Sequence, residues 1–135
     1  MPPGLDFPSG VAIDGMGNID ISDSGDYAIK QWSFSSNSLS VLVPLGNDNP
    51  YGLSIDAAGN LYFILFNGSS YAIEQCSPQT QALNALVTSG LSGPKNVAVD
   101  GAGNVFIADE FNQVIRCSLC WQRVFHNNYP PIFIV

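Results

Sequence analysis

One short segment of the sequence occurs three times, and its third copy reads Pro94-Lys95-Asn96-Val97-Ala98-Val99-Asp100-Gly101-Ala102-Gly103-Asn104-Val105. The earlier copies begin at Pro8 and Pro50 and share the central Asp-x-x-Gly-Asn sequence. Successive copies are 42 and 44 residues apart, counted between their aspartates. A period of this length is typical of propellers and solenoids, in which each repeat is one supersecondary unit. The repeat therefore predicts the architecture of the chain.

Each copy predicts a tight turn between two short strands, because an Asp carboxylate accepts hydrogen bonds from nearby backbone N–H groups and glycine adopts positive φ. Two further strands follow, at 28–34 and 39–43 in the first copy. Four short strands in about 40 residues form one propeller blade. We therefore expect an all-β fold with three four-stranded antiparallel blades. The predicted structural turn residues are Asp14, Gly17, Asn18, Asp56, Gly59, Asn60, Asp100, Gly103 and Asn104.

The pattern Pro-x-Gly-apolar-Ala-apolar-Asp-x-x-Gly-Asn-apolar, followed by Ile-Ala-Asp and Val-Ile-Arg, resembles the NHL repeat and is most complete at residues 94–116. The resemblance implies a propeller similar to the gluconolactonase-like ones, usually closed by about six blades. This chain supplies three NHL-like blades within residues 1–125, at about 5–46, 47–90 and 91–125. We therefore expect an incomplete ring.

An incomplete array leaves the outer faces of its end blades without partners. Three explanations are open: two chains assemble a six-bladed ring, the chain is a fragment of a longer gene product, or a short open array is stable alone. Residues 126–135 match no repeat and form a separate C-terminal tail. The tail is a truncation scar, a strand that covers a blade edge, or a strand donated to a partner.

Composition excludes several partner classes. The formal net charge is −7, from 4 Lys+Arg and 11 Asp+Glu, so phosphate backbones and anionic membrane surfaces would repel the chain. The N-terminal sequence lacks the basic and apolar regions of a secretory signal, and the longest apolar runs are far shorter than the roughly 20 residues of a spanning helix. We expect a soluble protein with neither nucleic acid nor membrane as partner, and the compartment is not indicated.

Four polar residues are predicted to lie at loop ends facing the propeller opening: Asp23, Asp109, Glu110 and Asn112. They would form either an acidic binding rim or ordinary solvated loop ends. Calcium, which prefers oxygen ligands, is the alternative cofactor, with Asp23, Asp109 and Glu110 as its ligands. Leu65 stands at the equivalent position of the second copy, so a ring of identical acidic ligands is broken there.

No catalytic or metal-binding residue is predicted. The lyases and lactonases on related propellers use, as the resemblance implies, histidines and acidic groups near the axis. The one histidine, His126, lies in the tail. We therefore expect a non-catalytic module that binds a protein or a carbohydrate, with basic partners favoured by its acidity and with self-association through its end blades. The alternative is one half of a metal-dependent gluconolactonase-like or lyase propeller enzyme.

The three cysteines are Cys76, Cys117 and Cys120. An odd number fits a reduced compartment better than a disulfide scaffold. Cys117 and Cys120 have Cys-x-x-Cys spacing at a predicted strand end, so redox or zinc chemistry is the less favoured interpretation. Cys76 is predicted to be a packed position of a third strand.

Overall fold

The chain folds into consecutive antiparallel sheets without helices, in a computed structural model that describes residues 4–118. Blade 1 contains β1 Pro8–Ile13, β2 Ile19–Asp23, β3 Ala28–Ser33 and β4 Ser38–Pro44. Blade 2 contains β5 Asn49–Ile55, β6 Leu61–Phe66, β7 Tyr71–Ser77 and β8 Ala82–Val87. Blade 3 contains β9 Pro94–Val99, β10 Val105–Asp109 and β11 Val114–Ser118.

Strands follow one another in each sheet in chain order, and every pair is antiparallel. The all-β blade architecture expected from the repeat is thereby confirmed. The third sheet has three strands within the described residues. The predicted fourth strand at 121–125, the tail, His126 and Cys120 lie outside them.

The uneven repeat period has its physical origin in the β6–β7 hairpin, which is longer than the β2–β3 hairpin by one residue pair. The side-chain oxygen of Asn67 accepts hydrogen bonds from the backbone N–H groups of Ser69 and Ser70, at 3.0 and 2.9 Å. This closes an Asx turn, in which a side chain replaces a backbone acceptor. The loop 67–70 is as long as the loop 24–27 of blade 1, so the two additional residues are Phe66 and Tyr71, which pair across the ends of β6 and β7 and leave the register of the blade unchanged.

The sheets stack through their inner strands β1, β5 and β9. The inner strands approach closely at Gly10, where a Cβ atom would come within 2.8 Å of the Gly52 backbone. Hydroxyl groups link the blades as well: Ser9 and Ser22 donate from Oγ to the carbonyl oxygens of Pro50 and Gly52, both at 3.0 Å. Hydrogen bonds as well as packing thus join blades 1 and 2.

Blade 2 is buried on both faces, which explains the apolar run Leu61-Tyr62-Phe63-Ile64-Leu65 in β6. Leu61, Phe63 and Leu65 belong to the core shared with blade 1. Tyr62 and Ile64 belong to the core shared with blade 3. Because strand side chains alternate between faces, only a strand between two neighbours needs apolar residues at every position.

Each blade has two faces. The leading face points toward the preceding blade of the chain and the trailing face toward the following one. On blade 1 the leading face carries Val11, Ile13, Ile19, Ile21 and Trp32, which share one side of the sheet by strand register. The Asp-x-x-Gly-Asn turns all lie at one end of the sheets, called the turn end. The β2–β3, β6–β7 and β10–β11 loops lie at the opposite end, called the linker end.

Candidate functional site

Asp23 ends β2 at the linker end and is fully buried. Its Oδ1 accepts a hydrogen bond from the backbone N–H of Asp6 at 2.8 Å. Its Oδ2 lies 2.7 Å from Lys30 Nζ in an ionic contact. Lys30 also contacts Asp26 and the carbonyl oxygen of Gly4. Burial alone would lower the pKa of Lys30, but the two carboxylates outweigh it and raise this pKa.

Asp109 makes the equivalent contacts in blade 3. Its Oδ1 accepts from the backbone N–H of Ser92 at 2.8 Å, and its Oδ2 accepts from Asn112 Nδ2 and Arg116 Nε, both at 2.7 Å. Asn112 and Arg116 also donate to the carbonyl oxygen of Gly90. Asp23 and Asp109 therefore each attach the segment entering a blade to its second and third strands.

The predicted rim residues have different environments. Asp23 and Asp109 are buried rather than solvated, because a cation from the third strand neutralises each. Glu110 is exposed and pairs with Lys95 at 3.2 Å. Asn112 is exposed but donates both of its contacts inward. Of the four predicted rim residues, Asp109 and Asn112 are in contact with each other. Glu110 is the one whose carboxylate is exposed to solvent.

Blade 2 lacks this arrangement. Leu65 occupies the carboxylate position and Glu74 the position of the cation. Glu74 is 8% exposed and has no hydrogen-bond or ion-pair partner within residues 4–118. Burial raises the pKa of Glu74, and the charge of Asp48 raises it further. No group of three or more His, Cys, Asp or Glu residues able to hold a metal occurs in the described part of the chain.

The turn aspartates have one geometry in all three blades. Asp14 Oδ1 accepts from the N–H groups of Met16 and Asn18, at 2.9 and 2.8 Å, and Oδ2 accepts from Asn18 Nδ2 at 2.8 Å. Burial acts to raise the pKa of Asp14, but these hydrogen bonds outweigh it and lower the pKa. The same bonds occur at Asp56 and Asp100. The turn glycines have φ of 85°, 86° and 84° at Gly17, Gly59 and Gly103.

A cleft of about 720 Å³ opens at the turn end between blades 1 and 2. Asp14, Asp20 and Gln31 line it from blade 1, and Ile55 and Asp56 line it from blade 2. No basic residue is among the described residues that line it. The cleft is therefore acidic on both walls, and we call it the acidic cleft.

Asp20 is the buried carboxylate of the acidic cleft, with 1% of its surface exposed. Its Oδ1 accepts from Gln31 Nε2 at 2.8 Å, and the same amide lies 3.4 Å from Asp14 Oδ2. Burial raises the pKa of Asp20, the Gln31 hydrogen bond opposes this, and the charge of Asp14 adds to the increase. Sequence reasoning did not select Asp20. The available signal was the repeat alignment, in which Tyr62 and Phe106 occupy its position.

The two described cysteines differ. Cys76 is a free, buried thiol, and burial followed by the charge of Glu74 raises its pKa. Cys117 is disulfide-bonded. The bonded state of Cys117 differs from the expectation of reduced thiols. That expectation rested on the odd number of cysteines, which shows only that one is left over and not which of them pair. The described residues include no helix able to reach across a bilayer.

No protein-family model and no curated protein sequence matches the chain. Among solved structures, a catalytically inactive virginiamycin B lyase from Staphylococcus aureus with quinupristin is similar, with a TM-score of 0.67 and 14% identity over 85% of this chain and 39% of that one. A streptogramin B lyase has a TM-score of 0.64 and 18% sequence identity, over 78% of this chain and 35% of that chain. A nidogen/laminin complex has a TM-score of 0.65 and 24% sequence identity, over 81% of this chain and 46% of that chain. The chain spans less than half of each of these chains, and likeness at such identities shows the β-propeller fold alone.

Proposed function

We propose that the chain is a non-catalytic interaction module of NHL type whose exposed end face binds a further propeller segment. The observation that carries the proposal is the leading face of blade 1. Val11 and Ile13 of the inner strand are 65% and 66% exposed there, and Val41 of β4 is 55% exposed. Val11 and Ile13 are neighbours on one face of β1, and exposed apolar side chains grouped in this way mark interaction sites in soluble proteins.

The repeat alignment identifies what this face is built to contact. Val11 corresponds to Leu53 in blade 2 and Val97 in blade 3, which are 6% and 3% exposed because each packs on the preceding blade. Ile21 corresponds to Phe63 and Ile107, both fully buried in the same interfaces. At Val11, blade 1 thus exposes a side chain that the other two blades bury in a blade–blade interface, whereas Ile21 is only 2% exposed in blade 1 as well.

A second copy of the chain is the proposed occupant. The trailing face of blade 3 carries Phe106, Ala108 and Ile115, and Ile115 is 48% exposed. A leading face from one copy on the trailing face of another is a head-to-tail contact, and two such contacts close a ring of twofold symmetry. Two sets of three blades supply six, the number with which NHL propellers usually close.

Further partners are expected to be proteins or carbohydrates. The net charge of −7 favours basic protein partners. One of the similar solved structures is a complex between two proteins, nidogen and laminin, which supports protein binding as the general role.

Sedimentation equilibrium at micromolar concentration tests the assembly. We expect a mass near twice 14.4 kDa for the chain. Val11→Glu and Ile13→Glu should give monomers, since each places a charge in the contact while replacing a side chain that is already exposed. Leu83→Glu, an exposed apolar position on β8 of blade 2, is the matched control and should stay dimeric. A monomeric unmodified chain would refute ring assembly by two copies.

The enzyme alternative requires calcium at Asp23, Asp109 and Glu110. The first two already neutralise Lys30 and Arg116, which argues against their use as ligands. Thermal melting with millimolar calcium decides the matter, because a ligand that binds only the folded state raises the midpoint. We expect no increase. A saturable increase that Glu110→Gln removes would favour the enzyme alternative.

A further inference from the structure

The acidic cleft lacks one hydrogen-bond donor that its counterpart in blade 2 possesses. In blade 2, Gln75 donates to Tyr62 Oη at 2.8 Å, and Tyr62 donates to Asp56 Oδ2 at 3.0 Å. In blade 1 the position of Tyr62 is Asp20, whose ionised carboxylate only accepts. Two carboxylates, Asp14 and Asp20, therefore share the single amide of Gln31.

The unused acceptor is Asp20 Oδ2. No residue among 4–118 forms a hydrogen bond with this atom. Among the described residues, Asp23 Oδ2 is the side-chain oxygen that is both inaccessible to solvent and without a hydrogen bond, so Asp20 Oδ2 retains some access to solvent. Asp20 as a whole is only 1% exposed, and it lines the acidic cleft. A buried carboxylate without a full set of partners costs free energy that a cationic donor would recover.

The replacement of a tyrosine by Asp20 also leaves space for such a donor. Tyr62 packs in the core between blades 2 and 3 and is 3% exposed. Asp20 has a much smaller side chain, and about 720 Å³ remains open beside it. The other walls include the aliphatic side chains of Leu42 and Ile55. The opening therefore combines one available carboxylate oxygen with an apolar surface.

We propose that the acidic cleft binds a primary ammonium group carried on an aliphatic chain, with Asp20 as its anionic partner. An ammonium has donors and no acceptor, so one of its N–H groups matches Asp20 Oδ2, while the negative charges of Asp14 and Asp56 on the cleft walls attract the cation. A divalent metal fits less well, since it needs about six oxygen ligands and the turn N–H groups already occupy Asp14 and Asp56. The cleft lies within one chain, so this proposal is independent of ring assembly.

Isothermal titration with n-pentylamine at neutral pH tests the site, and n-pentanol serves as the neutral analogue. A tripeptide with a central lysine and blocked ends forms the second arm. Comparing the two probes shows whether the ammonium comes from a free amine or from a lysine side chain of a protein partner. We expect saturable binding of at least one ammonium probe and at least about tenfold weaker binding of pentanol, the difference that one charge-assisted hydrogen bond provides.

Asp20→Tyr should abolish ammonium binding, because it restores the blade 2 arrangement and fills the cleft, and Asp20→Asn should weaken it at least about tenfold with little change in shape. Glu110→Gln removes one exposed charge from blade 3 and is the control for net charge. Binding of neither ammonium probe, equal binding of pentanol, or equal losses in Asp20→Asn and Glu110→Gln would overturn the proposal.

Discussion

Asp109 shows how one buried carboxylate supports a blade. It joins the backbone of Ser92 to the side chains of Asn112 and Arg116, and its own side chain is fully buried. The sequence places Asp109 beside Glu110 and does not distinguish them. Burial distinguishes them, because Asp109 has a cation within the blade while the Glu110 carboxylate is half exposed.

Alanine substitutions at the two positions should therefore differ in stability. Asp109→Ala leaves Arg116 without its buried partner and should lower the free energy of unfolding by about 3 kcal/mol. Glu110→Ala breaks only the exposed pair with Lys95 and should change it by less than about 0.5 kcal/mol. Urea denaturation measures both. Equal losses would mean that Asp109 contributes no more than a surface carboxylate.

Glu74 predicts a stability change that depends on pH. Its pKa is higher in the folded chain than in the unfolded one, so the stability gained with the protonated form is complete below the unfolded pKa and is lost as pH rises through the folded pKa. Glu74→Gln should therefore stabilise the fold at pH 7 by about 1 kcal/mol, as expected for a buried group without partners, with little gain at pH 4. Denaturation at both pH values checks this, and a gain of equal size at pH 4 would contradict it.

The turns between first and second strands are the elements most fully encoded locally. The Asp carboxylate and the glycine with positive φ lie within five consecutive residues, so the turn needs no distant partner. Local sequence is therefore sufficient to specify a turn of this kind. The β6–β7 loop follows the same logic, since the residues that close it are adjacent to Asn67.

Glycine substitutions in these turns separate backbone strain from crowding. Gly59 has φ of 86°, and no atom lies within 4 Å of the point that a Cβ atom would occupy, so Gly59→Ala should cost about 1 kcal/mol through backbone strain alone. Gly101 is equally unobstructed without positive φ, and Gly101→Ala should be neutral or gain about 0.5 kcal/mol. Thermal denaturation of both variants provides the comparison. A loss at Gly101 as large as at Gly59 would rule out φ as the cause.

The whole molecule combines an apolar end face with a net charge of −7. Two copies in a ring would bring like charges together while burying apolar surface. Salt screens the repulsion and leaves the apolar contact intact, so association should strengthen as ionic strength rises. Sedimentation between about 20 and 300 mM NaCl, on the order of a threefold change in Debye length or more, tests this. Weaker association at high salt would indicate that ion pairs hold the copies together.

The sequence by itself determined the repeat, the turns and the order of the strands, because each rests on residues that are near one another in the chain. It also indicated that Leu65 replaces the carboxylate of the other two blades. The structure adds that the cation of that pair is replaced as well, by the buried Glu74. Tertiary structure decided which polar groups are buried. Asp23 is neutralised by Lys30 on the next strand, and Asp20 lines a space that exists only when two blades stack. Burial and charge pairing depend on neighbours distant in sequence, and for this reason residue type alone did not reveal them.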